Sequence, residues 1–179
     1  MVDKKSLNTL FTDHGYDDYT WVQARDIVVS QWVRMKCMFG CTSYGVKGCC
    51  PPNTPSVDEC RRFFGEYADC VIFRFNKQIP DPKKRKEWTR QVNMKLLKLE
   101  RDVFLSGYRK SFLLFMDECC LCAECAGTKL DCKNSQDARP TLEGMAVDVF
   151  ALVRKYRLPI EVLRSYDESM NRYAFLMIE

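Results

Sequence analysis

Two segments, ADCVIFRFN at residues 68–76 and SFLLFMD at 111–117, flank an amphipathic stretch that opens at Asp81 and Pro82, and their reading decides the fold. In the first, Val71, Phe73 and Phe75 alternate with Cys70, Ile72 and Arg74, the two-residue period of a strand. The second is continuously apolar, as expected of a strand buried on both faces. Between them, Asp81 offers a helix cap and Pro82 suits the first turn. Trp88, Val92, Leu96, Leu99 and Val103 follow at steps of four, four, three and four, which sets them on one core-facing stripe, and Gly107 stands where a C-terminal cap falls. Strand, long helix, strand predicts a right-handed βαβ crossover with parallel strands. The expected fold is therefore α/β: a small, mostly parallel sheet with a βαβ crossover helix, from which cysteine-rich loops extend.

Outward from this span, Ile27, Val28, Val29, Trp32 and Val33 mix β-branched and aromatic residues and predict a strand that delivers the chain to Cys37. Residues 1–20 are polar with scattered aromatics and read as a loosely held arm or a short helix. Ser56 and Glu59 match a capping box, so SVDECRRFFGEY is expected to be a helix holding Cys60 in its first or second turn. A further helix is expected from about Thr141 to Tyr156, with Met145, Val149, Leu152 and Val153 inward, and RYAFLMIE reads as a closing strand. A chain of 179 residues that is 46% apolar suits one core. The expectation is a single domain over 1–179, with an N-terminal arm at 1–25 and cysteine blocks at 37–60 and 119–132.

Eleven cysteines suit a disulfide framework, a zinc scaffold or an iron-sulfur protein. The first 21 residues lack an apolar run of signal-peptide length, and no run of about 18 apolar residues spans a membrane. The expected location is therefore the cytoplasm, where thiols stay reduced and ligate metal in preference to forming disulfides. Net charge is +4, from 28 basic and 24 acidic residues, too mild to point to nucleic acid. Lys83, Lys84, Arg85 and Lys86 read as a solvated first helical turn.

The most specific signal is Cys119, Cys122 and Cys125, with two residues between neighbours, followed after six intervening residues by Cys132. A tight turn brings every third side chain to one small volume, and the same three ligands open the bacterial ferredoxin pattern. Zinc sites more often present two cysteine pairs separated by a longer span. Cys120, between two ligands, reads as a small buried hydrophobe. In the first block, CMFGCTSYGVKGCCPP sets its thiols in a Gly- and Pro-rich loop that bound metal would organise. The expected ligands there are Cys37, Cys41, Cys50 and Cys60. Three of them alone would leave one iron open to an outside ligand. Lys129, Lys133 and Arg139 flank the second block, where cations would offset a cluster's negative charge. His14 is the sole histidine, which disfavours Ser-His or Cys-His catalysis and mixed Cys-His zinc sites. No phosphate loop or dinucleotide fingerprint is present.

At these residues the chain resembles an uncharacterised family of predicted metal-binding, cysteine-rich, iron-sulfur-like proteins of anaerobic bacteria and archaea. The likeness is carried by WVRMKCMFGCTSYGVKGCCPP with DEC after it, and by CCLCAECAGTKLDCKNSQDARPTLEGMAVDV, in order and spacing over residues 28–179. It implies metal binding at Cys37, Cys41, Cys50, Cys60, Cys119, Cys122, Cys125 and Cys132, with Cys49, Cys70 and Cys120 as extras. The proline that the family pattern has shortly after its last motif cysteine is missing, since Lys133, Asn134 and Ser135 follow Cys132.

Three functions then stand open. One or two 4Fe-4S clusters would serve electron transfer to a redox partner, such as another redox protein or a corrinoid or flavin enzyme. An open iron in the first block would instead support an iron-sulfur enzyme. Zinc, the alternative metal, would make a structural interaction protein.

Overall fold

The computed structural model describes residues 2–179. Helix α1, Lys4–Asp13, is capped by the Asp3 carboxylate and leads into strand β1, Tyr19–Gln23. The segment read as a loose arm is thus anchored: Leu7 and Phe11 are buried, and His14 pairs with Asp102 at 2.9 Å. A short 3-10 turn at Ala24–Asp26 precedes helix α2, Gln31–Gly40, where a strand was expected. Val33 is the one buried residue of α2, so no apolar stripe announces it.

Helix α3, Val57–Gly65, carries the expected capping box of Ser56 and Glu59. Strand β2, Asp69–Lys77, then helix α4, Pro82–Leu105, and strand β3, Phe112–Leu114, follow in the expected order. Asp81 caps α4 by accepting from the Lys83 and Lys84 amides at 2.8 and 3.4 Å. The expected helix from Thr141 is broken: a 3-10 turn at Glu143–Met145 ends in Ala146 at φ 60, and helix α5 covers only Val149–Lys155. Strand β4, Met170–Met177, completes the sheet.

The sheet corrects the expected parallel topology. Its order is β1-β2-β4-β3, and all three strand pairings are antiparallel. β2 and β3 both run opposite to β4, so they share a direction as the βαβ reading required, but β4 lies between them in a split βαβ unit. The physical reason is burial. Tyr173 through Ile178 are all buried, so the last strand needs cover on both faces and both edges, and the slot between β2 and β3 supplies it. Leu176 sits opposite Val71 on one side and Leu113 on the other.

Alternation along the central strands feeds two cores. Val71, Phe73, Ala174 and Leu176 meet Leu7 and Phe11 of α1 and Leu96, Leu99 and Val103 of α4. Cys70, Ile72, Phe175 and Met177 face Phe64 of α3 and Leu152 and Val153 of α5. Helices therefore cover both faces, and the cysteine blocks extend from the ends of α2 and β3.

Candidate metal centre

Where β3 ends, the backbone turns sharply at Asp117, whose φ is 56. Buried side chains of α4 hold that turn. The Asn93 amide donates to the carbonyls of Met116 and Glu118 at 3.4 and 3.2 Å, and the Thr89 hydroxyl donates to Asp117 at 3.0 Å. At the far end of the block, Arg139 pairs with Glu100 at 2.9 Å. The second cysteine block is thus clamped to one helix at entry and exit, while residues 123–126 and 128–131 are exposed.

Cys119, Cys122, Cys125 and Cys132 line one small cavity of about 20 Å³, together with Cys49 and Cys120. That volume admits a single ion- or water-sized body. Amide N–H groups are directed at three of the sulfurs. The Asn134 side chain donates to Cys122 Sγ at 2.9 Å, the Gly48 backbone donates to Cys125 Sγ at 3.3 Å, and Cys119 accepts from the backbones of Leu121 and Arg139. The Cys49 thiol also donates to Cys119, and these bonds together hold the Cys119 thiol below its ordinary range. Lys47 and Lys86 border the same cavity.

The first block reaches this site through a close contact. A Cβ on Gly48 would lie 2.8 Å from the Thr128 carbonyl oxygen, so only glycine lets the loops touch there. Asn53 adds a bond to the Gly127 carbonyl at 2.9 Å, and Ser43 donates to Glu118 at 3.2 Å. Replacing Gly48 with alanine is expected to cost about 1–3 kcal/mol and to weaken metal retention, because backbone must move on both sides. Urea unfolding and metal content after dialysis against a chelator would check this, and a variant as stable and as metal-rich as the parent would contradict it.

Cys37, in the last turn of α2, lies near Cys41 and Cys50, and its thiol faces the Glu143 carbonyl at 3.9 Å. Cys60 is placed elsewhere. It is fully buried in the core, with its thiol donating to the Pro55 carbonyl at 3.6 Å and touching Met145 sulfur at 3.9 Å. Of the expected ligands, Cys119, Cys122, Cys125 and Cys132 line one cavity and Cys37 and Cys41 line another, while Cys50 lines neither and feels the charge of Cys41, Cys37 and Cys119. Cys49, read from sequence as an extra, joins the first four. Its adjacency to Cys50 gave no sign of which thiol faces which block, because that depends on how the two loops meet. Asn134 was likewise passed over, although an amide two residues from a motif cysteine is a natural donor to sulfur.

Burial pushes the Cys50 thiol up to about 12, with Cys41 and Glu118 adding negative charge nearby, and burial also raises Cys37. Both thiols are therefore protonated near neutral pH in the metal-free protein, and ligation must expel those protons. Affinity for Co²⁺, used as a probe, is expected to rise with pH between roughly 6 and 8, with proton release on binding. Anaerobic titration with a pH indicator would show this; binding without proton release would contradict it.

The donors are thiols throughout, with amides aimed at sulfur, which fits a thiophilic centre and not an oxygen-seeking cation. Among the described residues, no three Cys, His, Asp or Glu side chains converge on the geometry of one metal ion. A thiol-lined cavity beside an antiparallel sheet covered by helices, with amide donors turned onto its sulfurs, places the chain in the class of cysteine-rich predicted metal-binding proteins. The chain belongs to the family described as predicted metal-binding protein (DUF2284), which it matches over residues 20–178. No curated protein and no solved structure matches it. Among the described residues no helix is long and apolar enough to cross a membrane.

Proposed function

We propose that this is an iron-sulfur protein that binds two 4Fe-4S clusters and passes electrons to a redox partner in the cytoplasm. The observation that carries the reading is the gathering of Cys119, Cys122, Cys125 and Cys132 around one cavity, with N–H donors on three of their sulfurs. Hydrogen bonds to thiolate sulfur, burial and nearby charge are the means by which a protein sets a cluster's potential. Such a cluster supplies one-electron chemistry. The chain's own residues hold it and tune it: Lys47 and Lys86 offset negative charge, and the Asn134 and Gly48 amides stabilise the thiolates. A four-iron cluster needs more room than about 20 Å³, so to admit one the exposed middle of the loop would have to move outward, with Asn93 and Arg139 tying its ends to α4.

A second reading concerns the first block. Cys60 is committed to the core, which leaves Cys37, Cys41 and Cys50 as the remaining thiols of the block; Cys37 and Cys41 border a cavity of about 280 Å³ that Trp32, Val149 and Phe150 help to line, and Cys50 is not part of its wall. Three-thiolate ligation leaves an open coordination position, which favours an iron-sulfur enzyme at that site over a simple relay.

Anaerobically purified protein tests the proposal. Broad visible absorbance that bleaches on reduction with dithionite and returns on reoxidation is expected. Colourless, zinc-loaded protein would instead support a structural interaction protein and contradict the proposal.

A further inference from the structure

Helix α4 turns its apolar stripe to the core and leaves a second, basic stripe against the second cysteine block. Lys83, Lys86, Arg90, Lys98 and Arg101 follow one another along it and line two adjoining cavities of about 360 and 300 Å³. Arg90 and Leu121 belong to both cavities, so the two form one groove between α4 and the loop. At 1.5 Å rise per residue, its cations extend over roughly 27 Å. Met94 and Leu97 supply an apolar patch midway. The carboxylates in the groove are Glu87, which pairs with Arg90 at 3.6 Å, and Asp137 on the opposite wall. Five cations against two carboxylates leave the groove strongly positive, and Lys83, Lys86, Lys98 and Arg101 make no ion pair among the described residues.

The floor of this groove is the wall of the thiol cavity. Cys122 and Lys86 line both the cavity and one half of the groove, while Leu121 and Asn134 line both the cavity and the other half. A basic surface with an apolar centre, one side chain away from the cluster ligands, is complementary to a carrier whose own redox centre is ringed by carboxylates.

We infer that the groove between α4 and the second cysteine block docks an acidic one-electron carrier protein. The inference rests on the iron-sulfur reading of that block. In the exchange the reduced centre gives up one electron and the carrier gains it, and no bond is made or broken.

Stopped-flow mixing of dithionite-reduced, full-length protein with an acidic plant-type ferredoxin and with a basic c-type cytochrome tests it across a salt series. The rate with the acidic carrier is expected to fall steeply as salt rises. The K83E/K98E/R101E variant, which spares Lys86 beside the thiols, is expected to lose about tenfold or more of that rate at low salt with its visible spectrum unchanged. Reversal of Lys84 and Lys95, outside the groove, should leave the rate within about twofold. Coloured protein whose rate ignores salt, prefers the basic carrier, or falls equally in both variants overturns the docking inference alone. Colourless protein overturns the cluster reading and the docking inference together.

Discussion

Replacing Cys122 and Cys125 together with serine is expected to empty the second site and to leave the first loaded, which removes roughly half of the iron from each chain. Serine keeps the shape of cysteine, but its hydroxyl does not ionise near neutral pH and binds soft metals poorly. The substitution also takes away the sulfurs that receive the Asn134 and Gly48 amides, so the exposed loop loses its own ties as well as its ligands. Two companion variants sharpen the result. Cys50→Ala should empty the first site, whereas Cys60→Ala should keep its iron and lose only packing around Met145. Iron and visible absorbance per chain are the readouts. Full iron content in the Cys122, Cys125 double variant would contradict the assignment, and loss of iron from Cys60→Ala would show that Cys60 leaves the core to complete the first site.

The second large effect lies away from the thiols. Glu100→Ala is expected to destabilise the protein by about 3–5 kcal/mol, since it strands both partners of a buried carboxylate. One oxygen of Glu100 accepts from the Leu113 backbone at 2.7 Å and from Arg139 Nε at 3.1 Å, and the other pairs with Arg139 at 2.9 Å. Its side chain is 8% exposed, so water cannot replace what is lost. The residue therefore joins α4, β3 and the exit of the second cysteine block at one point. Because the Arg139 backbone also donates to Cys119, metal retention should fall together with stability. The surface pair of Arg61 and Asp58, with side chains 49% and 83% exposed, offers a contrast. Asp58→Ala there should change stability by about 1 kcal/mol or less. Urea unfolding of the two variants would check both values, and a loss under about 1 kcal/mol for Glu100→Ala would contradict the role given to it.

Local chemistry explains which elements were legible from residues alone. The α4 stripe, the Asp81 cap and the Ser56 capping box each sit within a few positions of one another, and their hydrogen bonds and periods are local. The alternation of β2 was equally plain, and its two faces do enter two different cores. Sheet order was not legible. One of the two partners of β2 is β4, about a hundred residues along the chain, and no pattern in either strand states that they pair. The segment at 27–33 misled because Ile27, Val28, Val29 and Val33 favour strands one by one, whereas the contacts of Arg34 with the Pro55 and Gly144 carbonyls help hold α2 in place. The motif spacing of the second block names four of the six cysteines that line its cavity. It could not foretell Cys49, whose place depends on the approach of Gly48 to Thr128.

Chemical analysis of iron, acid-labile sulfide and zinc in full-length protein purified without oxygen bears on the central claim most directly. Two four-iron centres predict about eight iron and eight sulfide per chain with little zinc. Stoichiometric zinc with neither iron nor sulfide would contradict the account.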